Sequence, residues 1–271
     1  GNGRSSGTGA VLTDPLRRME FKLKHLGIRK DGDKPSVALP KHQNGETARE
    51  AYLGRQSYRR FLESPLLLER FGRFLDCLSK MEIEHSPLPK YRYPSAGGLY
   101  PVQVYMYVKP DRVEGVPGGT YYYHPEWHRL VQLSAEARIP HDIHTPNNFD
   151  IFDSSAFSIF LVGQMNAIRP LYGEQSRDFC LLEAGYMSQL LMGAAAEWDI
   201  GLCPIGGADF GRVREKPSVR RLLSRSATPL KVSGALLPRA KWNPFPPAGE
   251  RTAWEALPES TRPRVLFISV D

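Results

Sequence analysis

Residues 177–198 carry the longest helical pattern in the chain, and it is apolar on almost every side. Phe179, Leu182, Met187, Leu190, Leu191 and the run Ala194–Ala196 leave no broad polar face, while Gly185, Ser188 and Gly193 permit close approach. A helix with no wet face has to be covered all round. It is either the central helix of a domain or a helix buried where two subunits meet. The remainder of the chain must then supply the cover.

That cover reads as a sheet with helices beside it. Residues 102–109, 119–124 and 129–133 alternate in strand fashion, with Gly118-Gly119 and His124-Pro125-Glu126 at the turns, which predicts a meander. Phe157 to Val162 reads as a buried strand, and the Tyr121-Tyr122-Tyr123 run as strand packing. Leu230 to Leu237 and Arg264 to Val270 read as two further strands, the last isolated behind a proline-rich segment and needing a sheet to join, its own or a partner's. Helices are predicted from Asp14-Pro15 to Gly27, over 46–62, after Pro65, over 134–144 and over 217–224. In the first, Asp14 caps, Pro15 opens, and Leu16, Met19, Leu23 and Leu26 form one stripe. The fold class expected is α+β, with a central mixed β-sheet flanked by helices. Residues 1–13 read as a flexible lead or tag remnant, and 14–271 as one domain.

Composition narrows the function classes. No apolar run in the 271 residues is long enough on its own to span a bilayer, and the start lacks a signal-peptide core. Cys77, Cys180 and Cys203 form no Cys-x-x-Cys pair, which points to a reducing, cytoplasmic setting and away from structural zinc. His141 and His144, three apart in a Pro-flanked loop, read as surface residues, so no metal is expected. The net charge of +7 is spread along the chain without a dense basic tract. Nucleic-acid binding therefore has no motif behind it. A basic surface suits an acidic protein partner or a phosphorylated ligand.

Three short stretches carry the chemistry. The first is Tyr93-Pro94-Ser95-Ala96-Gly97-Gly98-Leu99-Tyr100-Pro101, just before a strand. Its adjacent glycines let backbone amides approach a flat or anionic ligand; the plain alternative is a tight loop. The second is Arg55-Gln56-Ser57-Tyr58-Arg59, where two guanidiniums and a hydroxyl suit phosphate oxygens; the plain alternative is a solvated helix face. The third is Cys203-Pro204-Ile205-Gly206-Gly207.

With these residues in order, roughly residues 14–240 resemble the flavin-dependent nitroreductase superfamily. The Pro94–Pro101 stretch, together with Leu181-Leu182-Glu183-Ala184-Gly185-Tyr186 and Gln189, is similar to the SagB-type dehydrogenase and azoline oxidase branch. The opening helix looks like the lead-in of thiazoline oxidase domains in nonribosomal peptide synthetases. The resemblance implies a nitroreductase-like fold binding FMN at a homodimer interface. It assigns Arg55, Ser57 and Arg59 to the phosphate and ribityl chain. Pro94, Ser95, Gly97 and Gly98 belong to a loop reaching the flavin from the other subunit. Pro204, Ile205, Gly206 and Gly207 would lie beside the ring near N5, and Arg239 and Lys241 would form a second cationic pair on the phosphate. Residues 264–270 resemble the family's swapped tail.

One departure concerns the base. Azoline oxidases of this branch share a Lys-Tyr pair ahead of the long helix, and here the pair is Leu171-Tyr172. A tyrosine is a poor base unless its anion is stabilised. Either Tyr172 acts with another cation such as Arg169, or the base lies elsewhere and Tyr172 packs. The activity implied is FMN-dependent oxidation of a carrier-protein-bound thiazoline or oxazoline, with dioxygen reoxidising the flavin. Alternatives are dehydrogenation of an acyclic aminoacyl group or ribosomal peptide, an NAD(P)H-fed nitro or quinone reductase, and a flavin-fold scaffold without catalysis.

Overall fold

The computed structural model describes residues 12, 14–25, 27–28, 32, 34–41, 45–86, 88–206, 208–209 and, for the backbone, 227–236. Among the described residues, six strands form one sheet: β1 (Val102–Val108), β2 (Gly119–His124), β3 (Arg129–Ser134), β4 (Phe157–Gln164), β5 (Ile200–Ile205) and β6 (Ala227–Leu236). Their order is β3-β2-β1-β4-β6-β5. The first three make the predicted meander: residues 109–118 join β1 to β2, and a short turn after His124 returns the chain into β3.

Every pairing between these strands is antiparallel, so among the described residues the sheet is antiparallel where a mixed one is expected. Parallel partners occur only as isolated bridges among the described residues, Ser57 with Leu202 and Leu66 with Val113. The expected strand at 264–270 and helix at 217–224 lie outside the described residues.

The chain divides into two compact units, residues 1–43 and 44–271. In the first unit, α1 (Pro15–Lys24) starts as predicted: the Asp14 carboxylate accepts from the Arg17 amide at 2.8 Å and Pro15 opens the helix. None of its residues is buried, and Leu16, on the apolar stripe, is 77% exposed.

In the second unit, α2 (Glu46–Gly54) and α3 (Leu68–Leu75) precede the sheet. The helix predicted over 134–144 is absent: Ser134 ends β3, 135–140 is irregular and only His141–Ile143 forms a 3₁₀ turn. Pro140 cannot donate the amide such a helix needs there. Between β4 and β5 run α5 (Met165–Tyr172) and α6 (Ser176–Glu197), with α4 (Phe149–Ser154) before β4. The run Met165–Glu197 has the length and mean hydropathy of a membrane span. It is broken at Gly173 and packs on the sheet, as the core helix of a globular domain does.

The main core lies on the α6 face of the sheet. Val102, Val104, Met106, Ile159 and Leu161 meet Ala184, Met187 and Leu191 in one cluster, extended by Phe71, Phe74 and Leu75 of α3. The predicted central helix is therefore central, and burying its aliphatic side chains at about 1.5–3 kcal/mol each is the main force fixing it there. A smaller cluster on the opposite face joins Tyr107, Phe152, Phe160 and Val162 to Ile139 and Ile143.

Candidate active site

Strand register brings four chain segments to one end of the sheet. Val102 stands opposite Gly163, Gly163 opposite Thr228, and Ile205 opposite Lys231. The start of β1, the end of β4, the start of β6 and the end of β5 therefore share one end. The Pro94–Pro101 loop enters β1 there, α5 with Tyr172 leaves β4 there, and Gly206 leaves β5 there.

The loop is tied down by side chains. Ala96–Gly98 form a 3₁₀ turn in which Gly97 (φ 62°) and Gly98 (φ 67°) take the left-handed region that disfavours side chains. The Tyr100 amide donates to the Ser95 hydroxyl oxygen at 2.9 Å, and that hydroxyl donates to Oε2 of Glu183 on α6. The Val102 amide donates to Oε1 of the same carboxylate at 3.0 Å. Glu183 is 1% exposed. Burial pushes its carboxyl up to about 7, against the pull of the Ser95 and Val102 hydrogen bonds toward the charged form. Tyr91, Tyr93 and Tyr100 pack together behind the loop, with ring centroids 4.4–5.7 Å apart.

Tyr172 meets this loop. A methyl group placed on Gly97 would lie 2.8 Å from the Tyr172 hydroxyl, so glycine is needed there for space as well as for φ. The space around Gly98 is open. The Tyr172 ring stands edge-on to Phe179 at 4.8 Å. Arg169 lies three residues back on α5, where side chains share a face, and it is exposed.

The Arg55–Arg59 stretch differs from its sequence reading. The predicted helix over 46–62 stops at Gly54, and Arg55 begins an extended segment. Ser57 forms the parallel bridge to Leu202, and the Tyr58 amide donates to the Leu202 carbonyl at 2.9 Å. In extended chain, residues two apart share a face, so Arg55, Ser57 and Arg59 line one side of the segment more directly than a helix would allow. The Arg59 guanidinium lies beside the Cys203 thiol; burial pushes that thiol up to about 12 and Arg59 draws it back.

Pro204 and Ile205 belong to β5, a strand that the sequence reading passed over after Gly201. Gly206 follows, its carbonyl accepting from buried Asn148 at 3.3 Å. Gly207, Arg239 and Lys241 lie outside the described residues. His144, expected at the surface, is buried at 5% exposure, whereas His141 is exposed and pairs with Asp153 at 3.1 Å. No cluster of metal-ligating side chains occurs among the described residues.

Two groups result. Ser95, Gly97, Gly98, Tyr172 and Glu183 gather at the head of β1. Arg55, Ser57, Arg59, Pro204, Ile205 and Gly206 gather along β5. Strands β4 and β6 separate them, so β1 and β5 stand three strand spacings, roughly 14 Å, apart. Glu183 is the residue that sequence reasoning left without a role. Its signal was present: one carboxylate within the apolar run Leu181-Leu182-Glu183-Ala184.

The nitroreductase family model matches residues 52–234, more than half of the chain. An indigoidine synthase of Dickeya dadantii is 30% identical over 146 residues, covering 53% of this chain and 9% of that protein. Another, of Streptomyces lavendulae, is 27% identical over 157 residues, covering 58% and 10%. The chain thus spans about a tenth of the length of these curated relatives. Among solved structures, the Escherichia coli microcin synthetase McbBCD complex with truncated pro-MccB17 bound is similar with a TM-score of 0.60 at 16% identity, covering 85% of each chain. That likeness concerns the fold. On the family match, and on a sheet and central helix that agree with it, this chain belongs to the nitroreductase family.

Proposed function

We propose that this nitroreductase-family flavin oxidoreductase is an FMN-dependent azoline oxidase, acting on a thiazoline or oxazoline held by a carrier protein. The observation that carries the reading is the meeting of the Tyr172 hydroxyl with Gly97 of the Pro-Ser-Ala-Gly-Gly loop. It sets a proton-handling group against the glycine turn whose backbone can approach a flat ring.

The residues fit the cofactor. Arg55, Ser57 and Arg59 on one side of an extended segment offer a phosphate two guanidiniums and a hydroxyl. Gly98, with open space where a side chain would stand, lets the loop backbone come close to the ring. Pro204, Ile205 and Gly206 offer backbone at the end of β5, and Gly207, Arg239 and Lys241 complete the proposed set. Bound FMN would supply a hydride acceptor for the heterocycle and a two-electron route to dioxygen. The chain's share is to orient the substrate carbon and to take its ring proton at the Tyr172 oxygen. Arg169, on the same face of α5, would stabilise the Tyr172 phenolate that accepts this proton and becomes the neutral phenol, in place of the lysine missing at 171.

A site divided between β1 and β5 is completed by a second copy of the chain. On α6, Leu182 is 53% and Tyr186 45% exposed. They flank Gly185 in an apolar groove with Leu181 and Asp178, a surface suited to a homodimer. The basic net charge suits an acidic carrier protein.

The likeness to two indigoidine synthases favours a second reading, dehydrogenation of an acyclic aminoacyl group on a carrier. One experiment separates the readings. The FMN-loaded protein is mixed anaerobically with carrier-bound thiazoline, with carrier-bound aminoacyl substrate or with NADPH, and flavin bleaching is followed. Bleaching by the thiazoline alone is expected. Bleaching only by the aminoacyl carrier moves the assignment to the second reading, and bleaching only by NADPH overturns both.

A further inference from the structure

We propose that Glu183 is the positioning residue of the candidate flavin site: from the centre of α6 its carboxylate holds the Ser95 hydroxyl and the Val102 amide, and so fixes the Ala96–Gly98 turn. This rests on the reading that the turn borders the flavin.

The hydrogen bonds run in one direction. The Tyr100 amide donates to Ser95 Oγ, Ser95 donates to Glu183 Oε2, and Val102 donates to Glu183 Oε1. An ionised carboxylate only accepts, so it satisfies both donors, and the hydroxyl proton of Ser95 is drawn toward it. A protonated acid would donate to an oxygen that already accepts from Tyr100, and the Ser95 proton would lose its acceptor. The turn between these anchors contains two left-handed glycines, which have many other conformations available. Without the carboxylate, little prevents the Gly97 and Gly98 peptides from reorienting.

Glu183 is also placed to make the turn sensitive to pH. It is 1% exposed on the helix that packs against β1 and β5, with its carboxyl raised to about 7 by burial. The titratable groups facing it are Tyr91 and Tyr93, just before the loop, and Cys180, one turn earlier on α6. Burial raises all three above their ordinary values, so each is neutral at pH 7. Among the described residues, the Glu183 shift follows from burial, opposed by the hydrogen bonds from Ser95 and Val102.

The test is hydrogen exchange of the segment spanning 94–102 in the full chain without flavin, from pH 5.5 to 8.5, corrected for intrinsic exchange rates. Wild type is expected to gain protection at Tyr100 and Val102 as pH rises, with a midpoint near 7. Glu183→Gln, which cannot ionise, should exchange about tenfold faster at these amides above that midpoint, the worth of roughly one hydrogen bond. Its rate should show no midpoint. Ser95→Ala removes a bond that favours the charged form and should move the midpoint upward. This decides the matter even if Glu183→Gln folds poorly. Equal rates and pH profiles in all three proteins would overturn the proposal. A separate FMN titration of wild type tests the cofactor assignment: failure to bind sinks that reading and leaves the exchange result standing.

Discussion

The two halves of the candidate site are built in opposite ways. The Pro94–Pro101 loop is organised before any ligand arrives: a buried carboxylate, a serine and two backbone amides satisfy one another, and three tyrosines pack behind. The Arg55–Arg59 segment lies along the sheet edge, where the Tyr58 amide bonds to Leu202, the Tyr58 hydroxyl to Gly54 at 3.0 Å and the Arg59 guanidinium lies beside the Cys203 thiol. Arg55 is exposed. The difference assigns different tasks. A glycine turn beside a flat ring must be pre-set, because its freedom is costly to remove at binding. Long cationic side chains on a phosphate can close on it when it arrives. Substitutions in the segment should therefore act on affinity, and substitutions in the loop on stability.

The largest test removes both guanidiniums. Arg55→Ala with Arg59→Ala should weaken FMN binding by about 10²- to 10⁴-fold, since each hydrogen bond to a charged group is worth about 1.5–3 kcal/mol. Fluorescence titration reads the affinity. A loss of affinity below threefold would break the assignment of this segment to the phosphate.

Next in size is the pH dependence that the loop's carboxylate imposes. Glu183 is raised from the ordinary 4.5 to about 7, so between these values the folded chain keeps a proton that the unfolded chain releases. Its contribution to stability is full below about 4.5 and is lost as pH rises through 7. The shift corresponds to roughly 3 kcal/mol. Denaturant melts of wild type and Glu183→Gln should differ in pH slope across this window and run parallel above it. Parallel slopes throughout would show the carboxylate to be solvated.

Much of this was legible in the chain, and the gaps have physical causes. The apolar helix at 177–198, the meander and the buried strand at 157–162 each announce themselves by period and turn residues, and the structure places them within two residues at each end. The Arg55 segment reads as helix because its apolar spacing continues past Gly54, while the tertiary bridge to Leu202 that extends it is invisible locally. β5 was missed because Gly201 and Pro204 punctuate it; its pairing with β6 and the parallel bridge to Ser57 hold it as a strand. The sheet was expected to be mixed because the order of distant strands does not follow from any one strand's sequence. Glu183 stood in plain view within an apolar run. Its partners lie 81 and 88 residues away, so only the fold could give it a role.

Smaller effects sharpen the contrast within the loop. Gly97→Ala meets both a left-handed φ and the Tyr172 hydroxyl at 2.8 Å, whereas Gly98→Ala meets only the φ. The φ costs roughly 1–2 kcal/mol at either position. Gly97→Ala should be the more destabilising by about 1 kcal/mol in a denaturant melt, the displaced tyrosine adding an off-rotamer cost. Equal losses would mean that Tyr172 moves freely, and would weaken its assignment as the proton acceptor.

The finest test compares the two serines. Ser95→Ala removes an acceptor from the Tyr100 amide and a donor from Glu183, both inside the loop. Ser57→Ala leaves the segment's backbone bond to Leu202 in place, because the Tyr58 amide makes it. Ser95→Ala should cost about 1 kcal/mol more stability than Ser57→Ala, the net worth of a partly buried hydrogen bond. For FMN affinity the order should be reversed in mechanism: Ser57→Ala loses a direct hydroxyl contact, and Ser95→Ala loses pre-organisation. The second loss, but not the first, should shrink when binding is measured at a pH low enough to protonate Glu183, because wild type then carries the same disordered turn. A Ser95→Ala deficit that stays constant across pH would place the serine in contact with the ligand itself, and would erase the division of labour between the two halves.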